Sequence, residues 1–239
     1  ENNTARAIGR GADATMKRIP EPELMTEEEQ ARAYANANFA EPHQRVIDLF
    51  RATFPDWPGV GHVLDLGCGP GDIALRFARA YPACEVDGVD GAPAMLAAGR
   101  HLFERDPEAG RRVRLHLALL PRDPAPRARY DAVISNSLLH HLHDPHVFWS
   151  AVRRHAAPGA PVLMVDLMRP ASPEEAQRLT DLHAAGEPDV LRRDFHHSLF
   201  AAFTPDEVRD QLRHHGLDGF TVAAISDRHL MAHGRMPGA

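Results

Sequence analysis

The amino-acid sequence predicts an α/β protein: one doubly wound, mostly parallel sheet of seven strands, the last antiparallel, with helices on both faces. Three observations carry that reading. From residue 62 onward, short apolar runs alternate with stretches of helical periodicity, the pattern of parallel strands joined by crossover helices. The first run, Val63-Leu64-Asp65-Leu66, leads straight into a glycine-rich turn, Gly67-Cys68-Gly69-Pro70-Gly71, and then into a helix. The second run closes on an acidic residue, Asp90.

The elements follow in chain order. Residues 1–18 are small, polar and glycine-containing, and are read as a flexible tail with no role in the core. Residues 19–58 are expected to form a helical lid. Within it, Thr26-Glu27-Glu28-Glu29 is a capping box for a helix running to about Phe39, and its glutamates suit the positive end of the helix dipole. A second helix follows Pro42, with Val46, Ile47, Leu49, Phe50 and Phe54 on one face. Residues 59–239 form the sheet domain, with strands expected at 62–66, 85–89, 113–119, 131–135, 161–167, 220–225 and 229–233. Helices at 72–81, 93–103 and 146–155 fill gaps between them, and the proline-rich stretch 121–126 is loop. A helical insert, 170–203, interrupts the alternation after the fifth strand. Ser172-Pro173-Glu174-Glu175 opens a helix there with a capping box and a proline at its first position. Thr204-Pro205-Asp206-Glu207 repeats the device, for a helix that Gly216 ends.

Composition narrows the class. A chain of 239 residues suits one substantial domain with an excursion. No apolar run approaches the roughly 20 residues that span a bilayer. The net charge of -6 counts against nucleic acid as the main partner, because nucleic-acid binders carry an excess of Lys and Arg. Cys68 and Cys84 are too few for a disulfide framework, and the sequence shows no signal-like segment, so a cytoplasmic location is expected.

The chemistry lies in the glycine turn. Glycines there let backbone approach a ligand where any Cβ would collide, and Asp90 at the end of the next strand can accept from both ribose hydroxyls of an adenosine cofactor. Nicotinamide enzymes share this layout, but their fingerprint, Gly-x-Gly-x-x-Gly, needs glycine where this chain has Asp72. A carboxylate at the helix N-terminus also repels the pyrophosphate that would bind there. S-adenosylmethionine has no phosphate and a cationic sulfonium, so it tolerates Asp65 and Asp72 beside the turn.

Over residues 60–170 the chain resembles the class I methyltransferases. The resemblance rests on Asp65-x-Gly67-x-Gly69-x-Gly71, on Gly88-Val89-Asp90 followed by Pro93-Ala94-Met95-Leu96, and on Tyr130-Asp131-Ala132-Val133-Ile134-Ser135-Asn136 leading to Leu139-His140-His141-Leu142. It implies that Gly67, Gly69 and Gly71 line the methionine part of S-adenosylmethionine, with Asp65, Gly91 and Leu117 also touching the cofactor. Asp90 would take the ribose and Met95 the adenine face, although Met95 also reads as plain core. Asn136 would lie near the sulfonium and the substrate. The chain departs from the family at His116-Leu117-Ala118-Leu119, before Leu120-Pro121, where no carboxylate stands to meet the adenine amino group. Backbone groups or His116 are left for that task.

The implied reaction is methyl transfer to a small-molecule acceptor, giving S-adenosylhomocysteine. It asks for an in-line approach and exclusion of water, and for a general base only where the nucleophile arrives protonated. His141, just past the exit of the fourth strand, is the candidate base. Tyr34, Asn136, His140, Arg192 and Arg193 are candidate acceptor contacts; paired arginines suit a carboxylate or phosphate. His140, His141, His143 and His146 have no Cys or Glu at a recognised ligand spacing, so no metal is expected. Three alternatives stay open: a protein or nucleic-acid methyltransferase, a transferase moving another group from the same cofactor, and a non-catalytic cofactor-binding module. Oligomeric state leaves no mark in the sequence.

Overall fold

The computed structural model describes residues 16–22, 24 and 39–238, and every structural statement below concerns these. The helix expected from Thr26, with Tyr34 in it, lies outside them. Seven strands form one sheet: β1 (Val60–Leu66), β2 (Ala83–Asp90), β3 (Val113–Leu117), β4 (Ala132–Asn136), β5 (Pro161–Leu167), β6 (Thr221–Ala224) and β7 (His229–Arg235). Their spatial order is β3-β2-β1-β4-β5-β7-β6. The first five pair in parallel, and β7 runs antiparallel to both β5 and β6.

Alternation along the central strands explains their burial on both faces. Val63 packs with Ile73, Phe77 and Val86 under α1 (Ala40–Thr53) and α2 (Asp72–Ala80). Leu64 packs with Phe148, Trp149 and Leu212, from α6 (His146–His155) and α9 (Pro205–His214) on the other face. Trp149 is fully buried, and its indole N–H donates to Gln211 Oε1 at 2.9 Å, so no polar atom of the ring is stranded. The chain leaves β1 toward β2 on one side and returns at β4 on the other. A crevice therefore opens between the carboxyl ends of β1 and β4, where ligands bind in such sheets.

Four details differ from the sequence expectation, each for a local reason. The tail gives way earlier than residue 18: Met16 is buried and its N–H donates to Ala171 O at 3.3 Å. The helix expected over 93–103 is two, α3 (Pro93–Ala98) and α4 (Arg100–Arg105), joined at Gly99. A Cβ at Gly99 would stand 1.9 Å from the Pro70 carbonyl oxygen, so the helix breaks where the backbones touch. A short turn of helix, α5 (Pro107–Gly110), follows. β3 stops at Leu117: the Ala118 N–H makes a last bond to Asp90 O of β2 (3.0 Å), and the Leu119 N–H turns to the Asp123 carboxylate (3.0 Å).

The insert holds two helices, α7 (Pro173–His183) and α8 (Asp189–Ala201). Thr204 with Glu207 closes a full capping box on α9, as expected, whereas at α7 only the Ser172 half forms, because the Glu175 carboxylate is taken by Arg178. The N-cap of α8, Pro188, offers no side-chain cap, so nothing local signals that helix. Packing holds it: Leu199 and Ala202 meet Leu179 and Ala176 of α7 and Leu167 of β5. Among the described residues no helix is long and apolar enough to cross a membrane.

Candidate functional site

The crevice at the end of β1 opens into a cavity of about 520 Å³. Its floor is the glycine turn. Gly67, Gly69 and Gly71 all take positive φ (70°, 52° and 87°), a conformation that L side chains rarely adopt. The N–H groups of Gly67 and Cys68 both donate to Val89 O, at 2.9 and 3.1 Å, which pins the turn to the end of β2. A Cβ at Gly67 would meet Leu138 at 2.8 Å, and one at Gly71 would meet Leu115 and Phe103. Gly67 and Gly69 line the cavity. Gly71 serves the packing of α2 on the sheet and does not line it.

Two carboxylates sit beside the turn. Asp90 receives the Gly69 N–H on Oδ2 and the Ala92 N–H on Oδ1, both at 2.8 Å, so its carboxylate is held at the end of β2 facing the cavity. Burial raises its pKa, and those two N–H groups work against the rise. Asp65 is 1% exposed, and its Oδ2 has no hydrogen-bond partner. Burial, reinforced by the charge of Asp90, pushes its carboxyl up to about 7. An unpartnered buried carboxylate oxygen in a cavity wall is a place made for a cation. Asp72, by contrast, is already engaged: His43 Nδ1 and Arg76 Nε both lie 2.7 Å from Oδ2. These partners outweigh its burial and lower its pKa.

The opposite wall comes from the exit of β4. Asn136 lines the cavity, and its Nδ2 donates to Ser137 Oγ at 3.1 Å. Ser137 is the one described non-glycine residue with positive φ, 56°, and its N–H donates to Val165 O. That turn delivers the chain into a 3₁₀ segment, Leu139–His141, which sets His140 and His141 into the cavity wall. His140 Nδ1 lies 2.5 Å from Asp166 Oδ1, and both side chains are almost wholly buried. Burial opposes charge on His140, but Asp166 and then Glu21 outweigh it and raise its pKa. Gly91 and Met95 complete the wall beyond Asp90. The roof includes His43 and Val46 of α1 and Leu191, Phe195 and Ser198 of α8.

Of the predicted residues, Asp65, Gly67, Gly69, Asp90, Gly91, Met95, Asn136, His140 and His141 come together in this one cavity. Leu117 does not: it ends the sheet's edge strand with its side chain 60% exposed, outside the cavity lining. His116 is likewise turned away, its Nε2 3.1 Å from Asp87, which also binds Tyr130 Oη and Arg127. Arg192 and Arg193 stand outside the lining, where each pairs with a carboxylate, Asp181 and Asp194 respectively.

Three neighbours of the cavity lie outside the sequence motifs. Asp166 accepts from the Leu139 and Leu167 N–H groups, both at 2.7 Å, as well as holding His140. A charge inside the apolar run Val162-Leu163-Met164-Val165-Asp166-Leu167 was a usable signal, since a buried charge must be paired. Glu21 lies 3.0 Å from His141 and accepts from Ser198 Oγ. Arg18 donates to the carbonyls of Ala201, Leu142 and His140 (2.6, 2.9 and 3.1 Å) and stacks over Phe203. Nothing local in residues 16–22 marks either one.

Known proteins agree with this geometry. A family described as methyltransferase domain matches residues 63–159. An uncharacterized methyltransferase of Mycobacterium bovis is 30% identical over 157 residues, 66% of this chain and 76% of that protein. A ubiquinone/menaquinone biosynthesis C-methyltransferase of Geobacter sulfurreducens is 31% identical over 117 residues, 48% of this chain and 45% of its own length. The crystal structure of an S-adenosylmethionine-dependent methyltransferase from Aquifex aeolicus superposes with a TM-score of 0.62 at 15% identity, covering 88% of this chain and 98% of that one. With the glycine turn, the carboxylate after β2 and the sheet order all in place, this chain belongs to the class I S-adenosylmethionine-dependent methyltransferases.

Proposed function

We propose that this chain transfers a methyl group from S-adenosylmethionine to a nucleophilic atom of a small-molecule acceptor held beneath the insert. The observation that carries the reading is the continuity of the cavity, which joins the glycine turn and Asp90 to His140, His141 and the inner face of α8. Its size, about 520 Å³, is that of a small-ligand pocket, and helices roof it. The C-methyltransferase of quinone biosynthesis among the relatives acts, by its name, on a small molecule.

The residues fit the cofactor. The unpartnered Oδ2 of Asp65 suits its ammonium group, and the positive-φ glycines leave room for its amino-acid chain. Asp90 keeps acceptor capacity on each oxygen beyond its one backbone N–H, which suits two ribose hydroxyls. Met95 and the Gly91 backbone offer an apolar edge for the adenine. S-adenosylmethionine, when bound, supplies an electrophilic methyl group on a positively charged sulfur. The protein's part is to hold the acceptor in line and keep water out under α8. His141 stands at the exit of β4 and is the side chain assigned to the acceptor's nucleophile.

The expected result for His141→Ala is a fall in turnover of about 10²-fold or more, with S-adenosylmethionine affinity unchanged. Single-turnover assays with a screened acceptor and calorimetric titration of the cofactor check the two halves. An unchanged rate removes His141 from the reaction.

A further inference from the structure

Three donor atoms converge where the acceptor end of the cavity meets the N-terminal segment. Glu21 Oε1 lies 3.0 Å from His141 Nδ1 and 3.6 Å from His140 Nε2, and all three lie within 4.8 Å of one another. Their side chains are 11%, 14% and 3% exposed. Asp166 takes the Nδ1 side of His140, which aims Nε2 at the other two atoms. His141 Nδ1 is buried and makes no well-formed hydrogen bond, although Glu21 Oε1 lies 3.0 Å away. Two ligands of one tetrahedral ion also lie about 3 Å apart.

We propose that Glu21, His140 and His141 bind one divalent transition-metal cation at the acceptor end of the cavity. Two imidazoles and a carboxylate are the donor set of Zn²⁺, Fe²⁺ or Co²⁺, and are too nitrogen-rich for Mg²⁺ or Ca²⁺. Asp166 supplies the carboxylate behind a ligating histidine that fixes its tautomer and orientation. Arg18 steadies the same loop through the carbonyls of His140 and Leu142. Three protein ligands leave a coordination position for substrate, as in sites where a metal acts on a bound oxygen. His140 and His141 line the cavity, so the open coordination position faces the acceptor. His141 then acts on the acceptor through the ion. The acceptor assignment rests on the methyl-transfer reading; ion binding itself does not.

The test uses the full chain, purified without a histidine tag and stripped with chelator. Titration with Co²⁺ should give visible absorption bands that saturate at one equivalent, and Zn²⁺ should displace them. Glu21→Gln and His141→Ala should each weaken Co²⁺ binding at least about 10-fold, and Asp166→Asn about 10- to 100-fold. His146→Ala, in the separate group with His214 and His215, should leave it unchanged. Glu21 lies outside the sheet, so Glu21→Gln keeps the test meaningful should His140 variants unfold. Absence of bands at one equivalent, or bands that survive in both Glu21→Gln and His141→Ala, overturns the site. S-adenosylmethionine is titrated into the same samples. Binding of cofactor without Co²⁺ removes the ion and leaves the methyl-transfer reading, while Co²⁺ without cofactor does the reverse.

Discussion

Replacing Asp166 with alanine is expected to destabilise the folded chain by about 3 to 5 kcal/mol near pH 7, as removal of one partner of a buried ion pair does. The carboxylate is 2% exposed and carries three loads: the ring of His140 and the N–H groups of Leu139 and Leu167. Alanine leaves two buried donors without acceptors and the imidazole without its partner, and each orphaned donor alone costs about 1 to 3 kcal/mol. Because Leu139 and His140 belong to the segment that lines the cavity, the loss should also loosen the acceptor end before global unfolding. Urea denaturation of the wild type, Asp166→Ala and Asp166→Asn measures this. The Asn variant keeps an acceptor oxygen and should lose less. A loss below about 1 kcal/mol for alanine would mean that the buried pair does not organise the site.

The second large effect is linked to pH. Asp65 titrates at about 7 in the folded chain, because burial and then Asp90 disfavour its charge, against an ordinary value of 3.8. The folded chain thus keeps a proton that the unfolded chain releases above about pH 4. Stability must fall as pH rises through the window from about 4 to about 7, and level off above it. At about 1.4 kcal/mol per unit, the penalty reaches about 4 kcal/mol at about pH 8. Asp65→Asn mimics the neutral form, so its stability relative to wild type should be near zero at about pH 3.5 and grow to that size by about pH 8. A difference independent of pH would contradict the burial of a charge there. The same variant should bind S-adenosylmethionine poorly, because the strain in Asp65 is what the cofactor's ammonium relieves. Such a trade of stability for binding is expected where a site is built from an unsatisfied charge.

These two aspartates also show what a sequence can reveal. Asp65 was legible because it precedes a glycine turn whose spacing dictates a ligand-facing backbone, and the strand–turn–helix order around it follows from local patterning. Asp166 carried a weaker sign, a charge in an apolar strand, which announces a buried partner without naming it. His140 cannot be matched to Asp166 until the sheet sets β4 beside β5. Leu117, which the resemblance puts at the cofactor, ends the edge strand outside the cavity, and strand periodicity tells neither where β3 ends nor that it is the edge of the sheet. Helix α8 was invisible for a related reason: it lacks a cap and is held by contacts from α7 and β5. Glu21 and Arg18 reach the site from a segment whose composition reads as tail, and only tertiary contact gives them meaning.

Calorimetric titration of the purified chain, freed of copurified ligand, with S-adenosylmethionine, S-adenosylhomocysteine and NAD tests the central claim most directly. The first two are expected to bind at about micromolar Kd and the third not at all, with Asp90→Ala weakening both by about 1 to 3 kcal/mol through lost charge-assisted hydrogen bonds. Binding of NAD alone, or wild-type affinity in Asp90→Ala, would contradict it.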